Sequence, residues 1–253
     1  MERAREGALK YHQKATSHIE SWYGFHSSFI AARYFPEKQL DEALRSRFDY
    51  LFGLLHDRTK MVPLYHASRI QNTSGTIGLL VDKYEAYGDV EDLKKASRLA
   101  DWLMNTWQRK DGAYVNHNTV YTSVIYVAKS MLELTLVERE LGKTESMWKE
   151  AANRHYASAK RAIDQLVASQ GDFETEGALT FEDGMVSCSA LQIGMLALMQ
   201  QDEKERKHYT DAMLQILNSH DCLTQLRVPD ARRRGGTMRY WEAQYDVQML
   251  PNM

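Results

Sequence analysis

Three features of the 253-residue chain predict an all-α fold. Good helix formers (Ala, Leu, Glu, Lys and Met) are prominent, while there are only four prolines and fourteen glycines. Helix-length stretches with few charges alternate with strongly charged amphipathic ones. Polar, Gly-bearing loops separate these pairs in a unit that occurs three times, and a fourth unit begins at Gly235 and runs to Met253.

The first helix is predicted from about Glu2 to Trp22, with Tyr23–Tyr34 either continuing it or starting another, and Pro36 ends the region because it cannot extend a helix. Glu37–Leu55 follows, with Leu40, Ala43, Leu44, Phe48, Leu51 and Leu55 spaced by three and four to form one apolar stripe. Asp57–Asn72 contains Pro63 and has no clean period, so it reads as a long connection. The weakly charged stretches Gly75–Tyr87, Thr119–Val137 and Met185–Met199 are predicted as inner helices, buried on more than one side. Their charged partners Val90–Trp107, Ser146–Ser169 and Asp202–Ser219 are predicted as outer ones. In Val90–Trp107 the buried face is Val90, Leu93, Ala96, Ala100, Leu103, Met104 and Trp107, with Glu91, Asp92, Lys94, Lys95, Arg98 and Asp101 opposite. In Ser146–Ser169 it is Trp148, Ala152, Tyr156, Ala159, Ile163 and Leu166. Gly88 and Gly142 fall where left-handed C-caps are wanted, so the inner-to-outer turns are short and the pairs are antiparallel hairpins. The loops Gln71–Ser74, Lys110–Asn118, Gly171–Gly184 and Arg232–Tyr240 each follow an outer helix and precede an inner one, which puts them at one common end. Connections this long carry function more often than short ones do.

Lys plus Arg (32) nearly balances Asp plus Glu (34), and a net charge of −2 offers no field for a polyanion or a membrane surface. Arg232–Arg233–Arg234 beside Asp230 reads as a solvated loop, so neither nucleic acid nor membrane is an expected partner. Cys188 and Cys222 form no Cys-x-x-Cys clip. The start Met-Glu-Arg-Ala-Arg-Glu has no apolar signal region, and Met185–Gln201 is too short and too rich in Ser and Gln for a bilayer span of about 20 residues. There is no His-Glu-x-x-His, EF-hand loop, dense His/Cys cluster, Gly-x-Gly-x-x-Gly or phosphate-loop motif, so no metal or cofactor is expected.

The hairpin rhythm from Gly75 to Met253, the loops KDGAYVNHNTVYTS and EGALTFEDGMVSCSA, and the closing GGTMRYWEAQYDVQML resemble the (α/α)6-barrel, or six-hairpin, superfamily of glycoside hydrolases and polysaccharide lyases. The resemblance covers about two thirds of the chain as a pattern. It implies a toroid of hairpins in which the loops preceding the inner helices line a saccharide cleft. The chain holds about four to four and a half hairpins, so the expectation is one toroid domain over residues 1–253 that lacks its C-terminal hairpins. A polysaccharide-degrading role would place the protein in the periplasm or outside the cell.

Sugars present hydroxyls that want polar partners and apolar ring faces that want aromatic planes. The loops supply both, in Tyr114, Asn116, Tyr121, Glu182, Arg239, Tyr240, Trp241 and Tyr245, the candidate binders of an oligo- or polysaccharide substrate. Glycoside hydrolysis needs one protonated and one ionised carboxyl group. Glu242, between Trp241 and Tyr245, has the aromatic surroundings that raise a carboxyl pKa toward that of a general acid. Asp183, just before an uncharged helix, is placed to stay ionised in the N-terminal dipole, or to serve simply as an N-cap. Asp246, four residues from Glu242, shares its helical face, as a further catalytic acid or as part of a solvated first turn. A uronate-directed lyase would instead use His117 or Tyr121 as base, with Asn116 and Arg239 neutralising the carboxylate. A helical-repeat scaffold that binds a glycan or protein without chemistry is the reading from a different class.

Overall fold

The structure, a computed structural model, describes residues 18–57, 62–63, 70–116, 119–120, 127–169 and 182–220; within these, the side chains of 18–24, 71, 116, 119–120, 182–188 and 218–220 are not described. The described residues are almost entirely helical. In chain order they form α1 (His18–Tyr34), α2 (Lys38–Leu55), α3 (Ile70–Tyr87), α4 (Val90–Trp107), the short strands β1 (Val115–Asn116) and β2 (Thr119–Val120), α5 (Val127–Leu141), α6 (Ser146–Ala168), α7 (Glu182–Met199) and α8 (Glu203–His220). No helix among the described residues is long and apolar enough to cross a membrane. The residues fall into two units, one of Met1–Thr106 with Glu133–Ala152 and the other of Trp107–Leu132 with Asn153–Met253.

In the first unit α1 passes through the Trp22/Tyr23 boundary without a break and stops at Tyr34, two residues before Pro36. Glu37 caps α2, its carboxylate accepting from the amides of Gln39 and Leu40 at 3.3 and 2.7 Å, and Asp41 accepts in return from the Glu37 amide at 2.8 Å. The predicted stripe of α2 is buried at Leu44, Phe48, Leu51 and Leu55, joined by Phe52. Phe48 meets Phe25 and Phe29 of α1 edge-on, with ring centroids 5.4 and 5.3 Å apart. Each such fully buried ring stabilises the fold by roughly 1.5–3 kcal/mol. Between α3 and α4 the turn is short, as predicted: Gly88 at φ +74° donates to the Tyr84 carbonyl, and Asp89 caps α4 through the Glu91 amide at 3.0 Å.

Three details of this unit differ from the sequence reading. Gln71–Ser74 is no loop, because α3 starts at Ile70 and buries Asn72, Thr73 and Ser74. Residues that favour turns in isolation are held helical by burial, and Thr76 Oγ1 closes a bond to the Asn72 carbonyl at 2.7 Å. Asp92, assigned to the solvent face of α4, is fully buried while Val90 is exposed, because Lys83 of α3 draws the carboxylate inward. Gly142 does not adopt the left-handed conformation. It is small for another reason: a Cβ there would lie 2.8 Å from the Lys149 amide nitrogen.

In the second unit, Ala159, Ile163 and Leu166 of α6 are buried as predicted, as are Ile193 and Leu196 of α7. Asp202 caps α8 through the Glu205 amide at 2.9 Å. The α7–α8 turn is stitched by Gln200, whose amide nitrogen donates to the Leu196 carbonyl at 2.8 Å and whose own carbonyl accepts from Arg206 at 2.8 Å. The predicted inner helix Thr119–Val137 starts later, at Val127, and Thr119–Val120 pairs instead with Val115–Asn116 as an antiparallel ribbon. Gln192 of α7 helps to fix that start, its Oε1 accepting from the amides of Ala128 and Lys129 at 2.9 and 3.3 Å. Two of the four N-terminal amides of α5 are thereby satisfied from a neighbouring helix.

Candidate functional site

The connection from α4 to β1 is a built structure in the second unit. Gln108 pairs with Tyr114 in a bridge, the Arg109 amide donates to the Ala113 carbonyl at 2.9 Å, and Gly112 turns the chain at φ +100°. No side chain fits at Gly112, since a Cβ would lie 2.6 Å from the carbonyl carbon of Arg161 on α6. Gln108 Nε2 donates both to the Gly112 carbonyl and to the Ser158 carbonyl of α6, each at 2.9 Å. Its Oε1 accepts from Ser158 Oγ at 2.7 Å and from Arg161 at 2.8 Å. Both ends of one amide are thus committed to holding the loop on α6. At the rim, Arg109 and the Ala113 amide bind the Asp111 carboxylate and hold it below the usual carboxylate range.

Tyr114 closes this anchor. It has no exposed surface, its hydroxyl lies 2.6 Å from Ser158 Oγ, and burial raises its pKa above the ordinary phenol value. Expected to touch substrate, the ring is instead enclosed and pins the loop. Asn116 ends β1, paired with Thr119. Glu182 and Asp183 are the first two residues of α7, so Asp183 lies inside the first helical turn and not before it. That position retains the favourable field of the helix N-terminus. His117, Tyr121, Arg239, Tyr240, Trp241, Glu242, Tyr245 and Asp246 lie outside the described residues.

The first unit holds a cluster that the sequence reading missed. His26 Nδ1 on α1 pairs with Asp82 Oδ2 on α3, and Arg33 on α1 pairs with Glu85 on α3 at 2.6 Å. Partial burial raises the Glu85 carboxyl above its ordinary pKa; Arg33 opposes the rise, and the charges of Asp82 and Glu133 add to it. The other imidazole nitrogen of His26, Nε2, is buried and has no hydrogen-bond partner among the described residues. The signal was present in the sequence: Asp82 and Glu85 are acids three apart in a stretch otherwise nearly free of charge, and His26 and Arg33 are seven apart on one face of α1. Among the described residues no group of three or more His, Cys, Asp or Glu is arranged to hold a metal ion.

Comparison with protein-family models, with curated proteins and with solved structures finds no match to this chain.

Proposed function

We propose that the protein is a carbohydrate-active enzyme domain of (α/α)-toroid type that hydrolyses glycosidic bonds of an oligo- or polysaccharide. In this reading Glu242 is the general acid and Asp183 the base or nucleophile, with Asp246 beside them. The observation that carries the reading is the anchorage of the Gln108–Asn116 connection. A loop between an outer and an inner helix that commits Gln108, Tyr114 and Gly112 to α6 is held as rigidly as a substrate-positioning loop must be. Asn116, which ends β1, is in this reading a sugar-hydroxyl partner, and His117 follows it in sequence. The first turn of α7 adds Glu182 and Asp183 in a field that favours the ionised carboxylate a base or nucleophile requires.

The test is incubation of the chain with a panel of polysaccharides, followed by assay of reducing ends and of ultraviolet absorbance. New reducing ends without absorbance, lost in both Glu242→Gln and Asp183→Asn, are expected for hydrolysis. An unsaturated, absorbing product that depends on His117 or Tyr121 would replace the hydrolase by a uronate lyase. Binding to a glycan with no new ends in any condition would make the domain a scaffold.

A further inference from the structure

The α7–α8 hairpin presents an apolar groove of about 530 Å³, lined by Leu191, Gly194, Met195, Leu198, Met213 and Leu217 among others. Its floor is shaped by Gly194, where a Cβ would lie 2.8 Å from Met213 Sδ. Leu198 is 84% exposed and Leu217 42% exposed on its walls. Leaving large aliphatic side chains in water along a continuous groove forgoes the hydrophobic stabilisation that the rest of the unit gains by burying them, so such a surface is built for an occupant.

We infer that the groove is the seat of this chain's own segment Met238–Met249. The chain continues for 33 residues beyond α8, from Asp221 to Met253. Residues 221–237 could extend over about 56 Å, twice the roughly 27 Å length of α8, so the segment can return along the hairpin. Met238, Trp241, Tyr245 and Met249 recur at spacings of three and four, the period of a single apolar stripe on a helix. Such a stripe laid into a groove of Leu, Met and Gly is helix-in-groove recognition, with large anchors on one side and a yielding, Met-rich wall on the other. Charge agrees with the placement. Arg206 stands at the groove's border, and the acids Glu242 and Asp246 flank the stripe. The inference concerns assembly of the fold, and it makes Trp241 and Tyr245 anchors in the groove in place of the sugar-stacking role read from the sequence, leaving Glu242 and Asp246 on the uncovered side.

Hydrogen exchange and limited trypsin digestion of the full chain test it. Amides of Tyr240–Met249 should exchange at least about tenfold more slowly than in an undocked peptide, and trypsin should cut at Arg232–Arg234 well before Arg239. Leu198→Glu and Leu217→Glu alter exposed side chains that the hairpin does not need in order to fold, and each should abolish the protection. Leu136→Glu on α5, where the side chain is about as exposed as that of Leu217, should leave it intact. Fast exchange across Tyr240–Met249 in the parent chain overturns the inference. So does protection that survives both groove variants. A concentration-dependent dimer that these variants dissolve would assign the groove to a second copy and overturn it as well.

Discussion

Lys83 and Asp92 face each other across the α3–α4 hairpin with side chains 2% and 0% exposed, Nζ lying 3.1 and 3.0 Å from the two carboxylate oxygens. Asp49 accepts a second bond from Lys83 at 2.7 Å, and Lys95 adds one to Asp92 at 3.0 Å, so neither buried charge is left uncompensated. The ammonium also lies 5.1 Å from the centre of the Phe48 ring. Burying such a pair is costly and breaking it costs more. Asp92→Ala should therefore destabilise the protein by about 3–5 kcal/mol in urea unfolding, and Lys83→Met combined with Asp92→Leu by clearly less.

Gly112 and Gly88 both have positive φ, but only one is enclosed. Gly88 has nothing within 4 Å of where a Cβ would be, so Gly88→Ala should cost only the left-handed backbone penalty of about 1–2 kcal/mol. Gly112→Ala adds a collision with the Arg161 backbone, worth roughly 1–3 kcal/mol more, and should expose the Ala113 amide to exchange. Equal losses for the two variants would mean that the loop is not pinned to α6.

Removing the inter-helix cap has a local signature. Gln192→Ala removes the acceptor that Gln192 Oε1 offers the buried Ala128 and Lys129 amides and should cost about 1–3 kcal/mol. The exchange of these two amides should accelerate most. A change spread evenly along α5 would contradict the capping role.

His56 makes stability pH-dependent. Its ring is 1% exposed, stacks on Phe52 at 4.1 Å and donates from Nδ1 to the Phe52 carbonyl at 3.1 Å. Burial lowers its pKa from 6.5 to about 4, with the bond to the Phe52 carbonyl opposing the shift. Below 6.5 the unfolded chain takes up a proton that the folded state refuses, so stability is fully present above that pH and falls as pH drops toward 4. The contribution amounts to at most about 3 kcal/mol. The difference in unfolding free energy between the parent and His56→Gln should shrink between pH 7 and pH 4.5, because the variant lacks this titration and all other groups cancel.

Much of the helical frame was legible because each element carries its own period and punctuation. Val90–Trp107 was predicted to the residue, and Glu37–Leu55, Ser146–Ser169 and Asp202–Ser219 to within one or two. The charged outer helices were read best, since a two-sided pattern marks both the buried face and the ends. Inner-helix starts were read poorly. A helix buried on several sides needs no amphipathic period, so Asn72-Thr73-Ser74 looked like a turn and Thr119–Val120 like helix. Of the candidate site, the loop at Lys110–Asn118 was visible as a Gly-bearing polar stretch. That Tyr114 would be its buried pin was not, because exposure depends on what α6 places over the ring.

Composition and spacing by themselves determined the all-α class, most of the outer-helix faces, the short α3–α4 turn at Gly88 and the connection that follows α4. These are local properties, set by propensity, periodicity and backbone sterics within about a dozen residues. Tertiary structure alone decided that Asp92 turns inward to Lys83, that Gln192 of α7 caps α5, that Gly112 is fixed by the Arg161 backbone, and that His26 meets Asp82. Each of these joins residues nine to 64 positions apart. Whether a polar group is buried with a partner or left in water follows from what packs over it, and no window of sequence contains that information.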